Sequence, residues 1–130
     1  MTLEEQKELE RAKADYQLHV EYHKLVIENA MRAQRGLLLC HGGAITAIVM
    51  SGQKGLLPFC LWFGLGAALV VLSSGLGYAA NYCYMNTWDT PSERIRFVGK
   101  VFHALAVMVY LTSVGLLFRS LMEIFDIIGS

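Results

Sequence analysis

His41 and His103 are the residues of this chain whose type and placement bear most on chemistry, because each interrupts a long uncharged, apolar run. His41 lies six residues past Arg35 and His103 seven past Arg96. Both therefore fall about 9–11 Å along a helix from the nearest arginine before them. Tyr78 and Asn81 reach a similar level from a third apolar run. The four polar side chains, His41, Tyr78, Asn81 and His103, are thus expected to share one layer. Polar groups at membrane depth are costly to bury, so such a layer is a functional hypothesis by default. A proton- or ion-responsive layer and a bis-histidine haem site both fit these residue types. Interhelical hydrogen bonding, worth about 0.6–2 kcal/mol per contact, fits them equally well and demands less. We adopt that third reading and expect no cofactor.

His19 and His23 stand four apart, one helical turn, with Asp15 and Glu21 nearby. Two good ligands without a Glu-x-x-His pattern are too few for a metal site in one chain. They read instead as semi-polar members of a helix seam, and no metal is expected. Catalytic patterns are missing too: no Gly-x-Ser-x-Gly, no phosphate-binding loop, no His-Glu-x-x-His and no acid pair at membrane depth. The Gly64-Leu65-Gly66 sequence has no strand before it and reads as a packing feature. Cys40, Cys60 and Cys83 form no Cys-x-x-Cys pair and read as buried small hydrophobes. An enzyme is not expected.

The elements that carry these residues follow from charge and periodicity. Residues 36–53, 55–88 and 101–118 contain no Asp, Glu, Lys or Arg, and 55% of the chain is apolar. Of the 22 charged residues, 13 precede Gly36. Stretches this long and apolar are read as membrane spans. The net charge of zero offers no basic field for nucleic acid. The acidic, polar start carries no secretory signal pattern, so the first span is expected to serve as signal-anchor.

The expected layout is all-α: a cytoplasmic amphipathic helix over 1–35, then a three-span membrane domain over 36–128. The spans are placed at about 36–53, 56–80 and 98–118, with an interfacial tail after Arg119. Thr2 and Glu5 fit a capping box at the start, and Thr90, Pro91 and Glu93 fit another before the third span. Pairs such as Glu8–Arg11 and Glu28–Arg32 support the first helix by a few tenths of a kcal/mol each. Along that helix Leu9, Ala12, Tyr16, His19, His23, Val26, Ala30, Ala33 and Leu37 recur at alternating three- and four-residue steps, a coiled-coil-like seam. Its larger members, Leu9, Tyr16, His19, His23 and Val26, are the expected contact for a second copy or a protein partner.

Small residues recur four apart on the first two spans: Gly42 and Gly43 with Ala47, Gly64 with Ala68, Ser73 with Gly77, and Gly75 one turn before Ala79. Such spacings let helix backbones approach closely in lipid, where no hydrophobic force drives association. They occupy more than one face, which points to self-association. Lys24, Arg32, Arg35, Arg94, Arg96 and Lys100 flank one side of the spans, against Lys54 and Arg119 on the other. That asymmetry predicts a cytoplasmic N-terminus and a C-terminus outside.

Residues 38–50, Leu-Leu-Cys-His-Gly-Gly-Ala-Ile-Thr-Ala-Ile-Val-Met, resemble a motif of small, uncharacterised bacterial inner-membrane proteins. Those read Asn-Gly-Gly-Ala at the start of the first of three spans, after a polar N-terminal helix. The resemblance covers the layout of most of the chain but specific residues only over 38–52. His41 stands where the family has Asn. The resemblance implies a bacterial inner membrane and no activity. Two function classes follow from the whole reading. One is a homo-oligomeric, pore-forming or membrane-perturbing protein with His41 and His103 as gating residues. The other is an accessory or scaffold subunit that docks a partner through its N-terminal helix.

Overall fold

The computed structural model describes residues 3–89 and 92–129, so the two expected threonine caps, Thr2 and Thr90, lie outside the described residues. Three long helices make up the chain: α1 (Leu3–Ser51), α2 (Phe59–Asp89) and α3 (Glu93–Gly129). A short 3-10 turn, Lys54–Leu56, joins the first two. Among the described residues there is no strand.

Local chemistry explains where the first helix stops. Gly52 adopts φ +67°, the left-handed conformation that ends helices and that glycine enters without steric cost. The Ser51 hydroxyl donates to the Ile48 carbonyl at 2.7 Å and accepts from the Gln53 amide at 3.3 Å, so side chain and backbone close the end together. Pro58 then stands just before α2, where its missing N–H costs nothing, and its carbonyl accepts from the Leu61 amide at 3.2 Å.

The chain divides into two units, Met1–Ala33 and Gln34–Ser130. In the first, every described side chain is exposed except the half-buried Glu28. Glu8–Arg11 and Glu28–Arg32, expected along it, do not pair, whereas Arg119 and Glu123 do, at 2.9 Å on α3. Solvated pairs of long side chains gain too little to hold one geometry.

The second unit is a three-helix bundle in which α2 runs antiparallel to both the end of α1 and α3. Its most extensive backbone contact is between α2 and α3. Leu56 on the 3-10 turn and Phe59, Phe63, Gly66, Val70, Ser73 and Ala80 on α2 are buried, spaced by threes and fours except for the last interval of seven. Those on α3 are Gly99, Ala106, Ser113 and Ser120, each seven residues from the next and each small. A seven-residue repeat of inward positions is the signature of left-handed helix packing at a shallow crossing angle. Small side chains on that line bring the backbones close: a Cβ on Gly99 would stand 3.0 Å from Tyr84 Cε1 and 3.2 Å from Cys83 Cβ. At the other end Ile48, Leu56, Phe59 and Phe63 form an apolar cluster, with Leu117, Leu121 and Ile124 packed against it.

Two helices are long and apolar enough to cross a membrane, Lys54–Thr87 and Glu93–Gly129. Only 28% and 11% of their most apolar windows is buried inside the chain, whereas the core helix of a soluble protein would be mostly buried. Leu61, Val71, Leu72, Met108, Leu111 and Phe118 all point outward, an exposed apolar surface of the kind that meets lipid or a protein partner.

Two of the three expected spans lie on these two helices. The expected first span is the apolar end of the longer α1 and covers 36–51, about 24 Å, because Gly52 stops the helix before Gln53. The expected tail after Arg119 is helical, since α3 continues unbroken through Arg119 to Gly129. No Gly or Pro interrupts it after Gly115 and before Gly129, and Leu121 and Ile124 gain contact with the apolar cluster by staying helical. Finally, Cys40 is exposed rather than buried, and Cys60 and Cys83 are half-buried; all three are free thiols.

Candidate functional site

The heptad line of α1 turns Leu37, His41 and Ile48 inward. His41 is the only one of the three with polar atoms, and it is completely buried. Room for its imidazole exists because the facing residue on α2 is Gly66. A Cβ on Gly66 would overlap three atoms of the His41 ring. One turn earlier on α2, Phe63 meets the ring edge to face, with centroids 6.0 Å apart and planes at 61°.

α3 completes the site with Ser113, also completely buried. Its Oγ stands 3.0 Å from His41 Nε2 and donates to the Gly66 carbonyl at 2.8 Å. A serine hydroxyl has one proton, and that proton goes to Gly66. Ser113 Oγ must therefore accept from His41, which places the imidazole proton on Nε2. Proton counting thus assigns the tautomer. It leaves the Nδ1 lone pair bare, and Nδ1 is buried without a hydrogen-bond partner. An unmet buried acceptor of this kind costs about 1–3 kcal/mol.

A second polar layer lies one heptad away on all three helices: Gln34 is seven residues before His41, Ser73 seven after Gly66, and Ala106 seven before Ser113. Gln34 Nε2 donates to Ser73 Oγ at 3.4 Å, and Ser73 Oγ donates to the Ala106 carbonyl at 2.8 Å. Ser74 Oγ is 2.9 Å from Gln34 Oε1 and 3.0 Å from the Val70 carbonyl, and its single proton is shared between them. The layers are reciprocal. In one a serine of α3 bonds a carbonyl of α2, and in the other a serine of α2 bonds a carbonyl of α3.

An imidazole and a serine hydroxyl at 3.0 Å have the separation of a base and its nucleophile. The rest of that chemistry is missing. The hydroxyl proton points to a backbone carbonyl, nothing orients Nδ1, and both side chains are sealed from solvent and lipid. The arrangement crosslinks three helices and fixes their register.

The structure does not assemble the expected four-residue layer. Tyr78 and His103 are exposed and Asn81 is half-buried. Tyr78 lies 12 residues beyond Gly66, about 18 Å, and His103 ten before Ser113, about 15 Å. Depth counted from flanking arginines misplaced them, because register is set by the small residues that let α2 and α3 meet. Gly66 and Ser113 were missed as partners for His41. The available signal was the seven-residue repeat Gly66, Ser73, Ala80 and its counterpart Gly99, Ala106, Ser113, Ser120.

Of the expected helix-packing residues, Ser73 is buried in the bundle. Gly42, Gly43, Ala47, Ala68 and Gly75 are exposed, and Gly64 and Gly77 are half-buried. A Cβ on any of these five glycines would meet nothing within 4 Å. Contacts inside this chain therefore do not account for their small size. The seam residues Leu9, Tyr16, His19, His23 and Val26 are all exposed on the first unit. His19 and His23 pack edge to face, with centroids 5.1 Å apart and planes at 74°. Among the described residues no group of three or more His, Cys, Asp or Glu side chains is placed to hold a metal ion.

No protein-family model matches this chain, and neither the curated proteins nor the solved structures contain a match to it.

Proposed function

We propose that this chain is a self-associating integral membrane protein, a membrane-held scaffold whose N-terminal helices pair between copies. The observation that supports it best is the first unit itself. It is a helix of 31 described residues, 3–33, with no buried side chain, and it carries a heptad seam from Leu9 to Ala33. A helix gains most of its stability from packing an apolar face, and this one has not packed it within its own unit.

Copies anchored in one bilayer with one orientation would present their heads in parallel. With Leu9, Tyr16, His23 and Ala30 at one seam position and Ala12, His19, Val26 and Ala33 at the other, the flanking positions oppose no like charges. Glu8 faces the partner's Lys13, Asp15 faces the partner's Val20 and Tyr22 faces the partner's Ile27. The outward glycines 42, 43, 64 and 75 supply a second surface on which helices of two copies could approach closely.

In this reading the apolar end of α1 lies in the membrane beside α2 and α3, tied to them by the two polar layers. Arg32, Arg35, Arg94, Arg96 and Lys100 mark the cytoplasmic side, and the likeness of residues 38–50 to small inner-membrane proteins supports a bacterial inner membrane. The geometry gives the pore reading little: His41 is consumed by a bond inside its own chain, so it is not available to line or gate a channel.

The test is native mass spectrometry of the full chain released from mild detergent, with Tyr16→Asp and Val26→Asp together as the comparison. Wild-type oligomers that fall to monomers in the double variant are expected. A wild-type chain that stays monomeric under every ionic condition would refute self-association and favour the docking of a different protein on the same seam.

A further inference from the structure

We propose that two paired head helices bind one zinc-class divalent transition-metal ion, held by His19 and His23 of each copy. This rests on the self-association reading above and specifies what would control it. The pair of imidazoles has the centroid spacing of two ligands in a tetrahedral shell. A zinc–nitrogen bond of about 2.0–2.1 Å and a tetrahedral angle set the centroids of two bound imidazoles about 5 Å apart. In the head helix the centroids are 5.1 Å apart, with the rings steeply inclined to each other.

One chain cannot finish the shell, since among its described residues no third His, Cys, Asp or Glu joins the pair. A parallel, two-fold symmetric seam finishes it directly. Identical seam positions face each other across the axis, so His19 meets the partner's His19 and His23 meets the partner's His23 one layer on. Four neutral imidazoles around one point suit zinc, and also nickel or copper, far better than calcium or magnesium.

The metal also accounts for the composition of the seam. Its two adjacent central layers are histidine where packing alone would favour leucine or isoleucine, and four of the other six layers before Leu37 are not large aliphatics. A seam this thin is marginal as a hydrophobic contact. An ion bound only by the paired state would stabilise that state by mass action. The head would then pair or separate according to metal supply, with the membrane domain unchanged.

The experiment uses the untagged full chain in mild detergent, by sedimentation equilibrium and native mass spectrometry, in chelator and in added Zn²⁺. The comparison is His19→Gln with His23→Gln in one chain. Expected are one zinc per two wild-type chains and at least a tenfold tighter association with zinc than in chelator. Cobalt(II) in its place should show the strong visible absorption of a tetrahedral site. All three signals should vanish in the double variant. Chains that self-associate identically with and without zinc would overturn the metal site and leave the pairing intact. Chains monomeric in both conditions would overturn both. Zinc uptake of one ion per chain, or uptake unaffected by the two substitutions, would also overturn the proposal.

Discussion

Replacing Gly66 by alanine is the sharpest probe of how the helices are held together. The new Cβ would stand about where the His41 ring now lies, 2.5 Å from its Nε2 and 2.7 Å from its Nδ1. The ring has little freedom to yield, since Ser113 Oγ holds Nε2 at 3.0 Å and Phe63 backs it at a centroid distance of 6.0 Å. α1 must therefore move away from α2, or the ring must leave its rotamer and abandon Ser113. Overpacking a tight interface costs about 1–3 kcal/mol, and losing a buried hydrogen bond adds about 1 kcal/mol. Together Gly66→Ala should destabilise the bundle by about 2–4 kcal/mol, even though alanine is the better helix former by about 1 kcal/mol. The assay is denaturation in mixed detergent micelles, followed by far-UV circular dichroism and the combined fluorescence of Trp62 and Trp88. His41→Ala in the same chain removes the ring and with it the clash. The double variant should then recover about 1–3 kcal/mol relative to the sum of the single changes. Additive costs, or a Gly66→Ala chain within about 0.5 kcal/mol of wild type, would refute the close approach of α1 to α2 at this level.

Two further outcomes follow from the same geometry. Ser113→Ala removes the acceptor for His41 Nε2 and should cost about 1–3 kcal/mol in the same assay, because a buried imidazole N–H is left unmet while the Gly66 carbonyl keeps its own helical bond. The Cβ added by Gly43→Ala meets nothing within 4 Å in its own chain, so monomer stability should hold or rise by up to about 1 kcal/mol through helix propensity. Oligomer formed through that face should decline, and a fall in monomer stability instead would show that the face is packed within the chain.

The helical architecture was legible because it depends on local signals. Long uncharged runs and the scarcity of breakers predict long helices, and Gly52 and Pro58 mark the turn between the first two. The length of α2 was less legible. It runs on past Ala80 to Asp89, since nothing in Asn81, Tyr82 or Cys83 stops a helix. The polar site was legible only in part. His41 stood out as a histidine in an apolar run, but its partners could not be chosen from depth. Ser113 and Gly66 are ordinary in the sequence, and the feature that joins them is a period of seven shared by two helices rather than any motif in one.

The sequence by itself determined that this chain is helical, that charge is concentrated before Gly36, and that long uncharged, apolar runs follow it. Those properties reside in composition and in periodicity within one segment. The tertiary structure alone decided which face of each helix is inside, since a helix apolar all round carries no amphipathic mark to read. It turned Gly66 and Gly99 inward and Gly42, Gly43 and Gly75 outward. It also paired His41 with Ser113 rather than His103, because register between helices is set by where two backbones can come close, a property of the pair and not of either strand of residues.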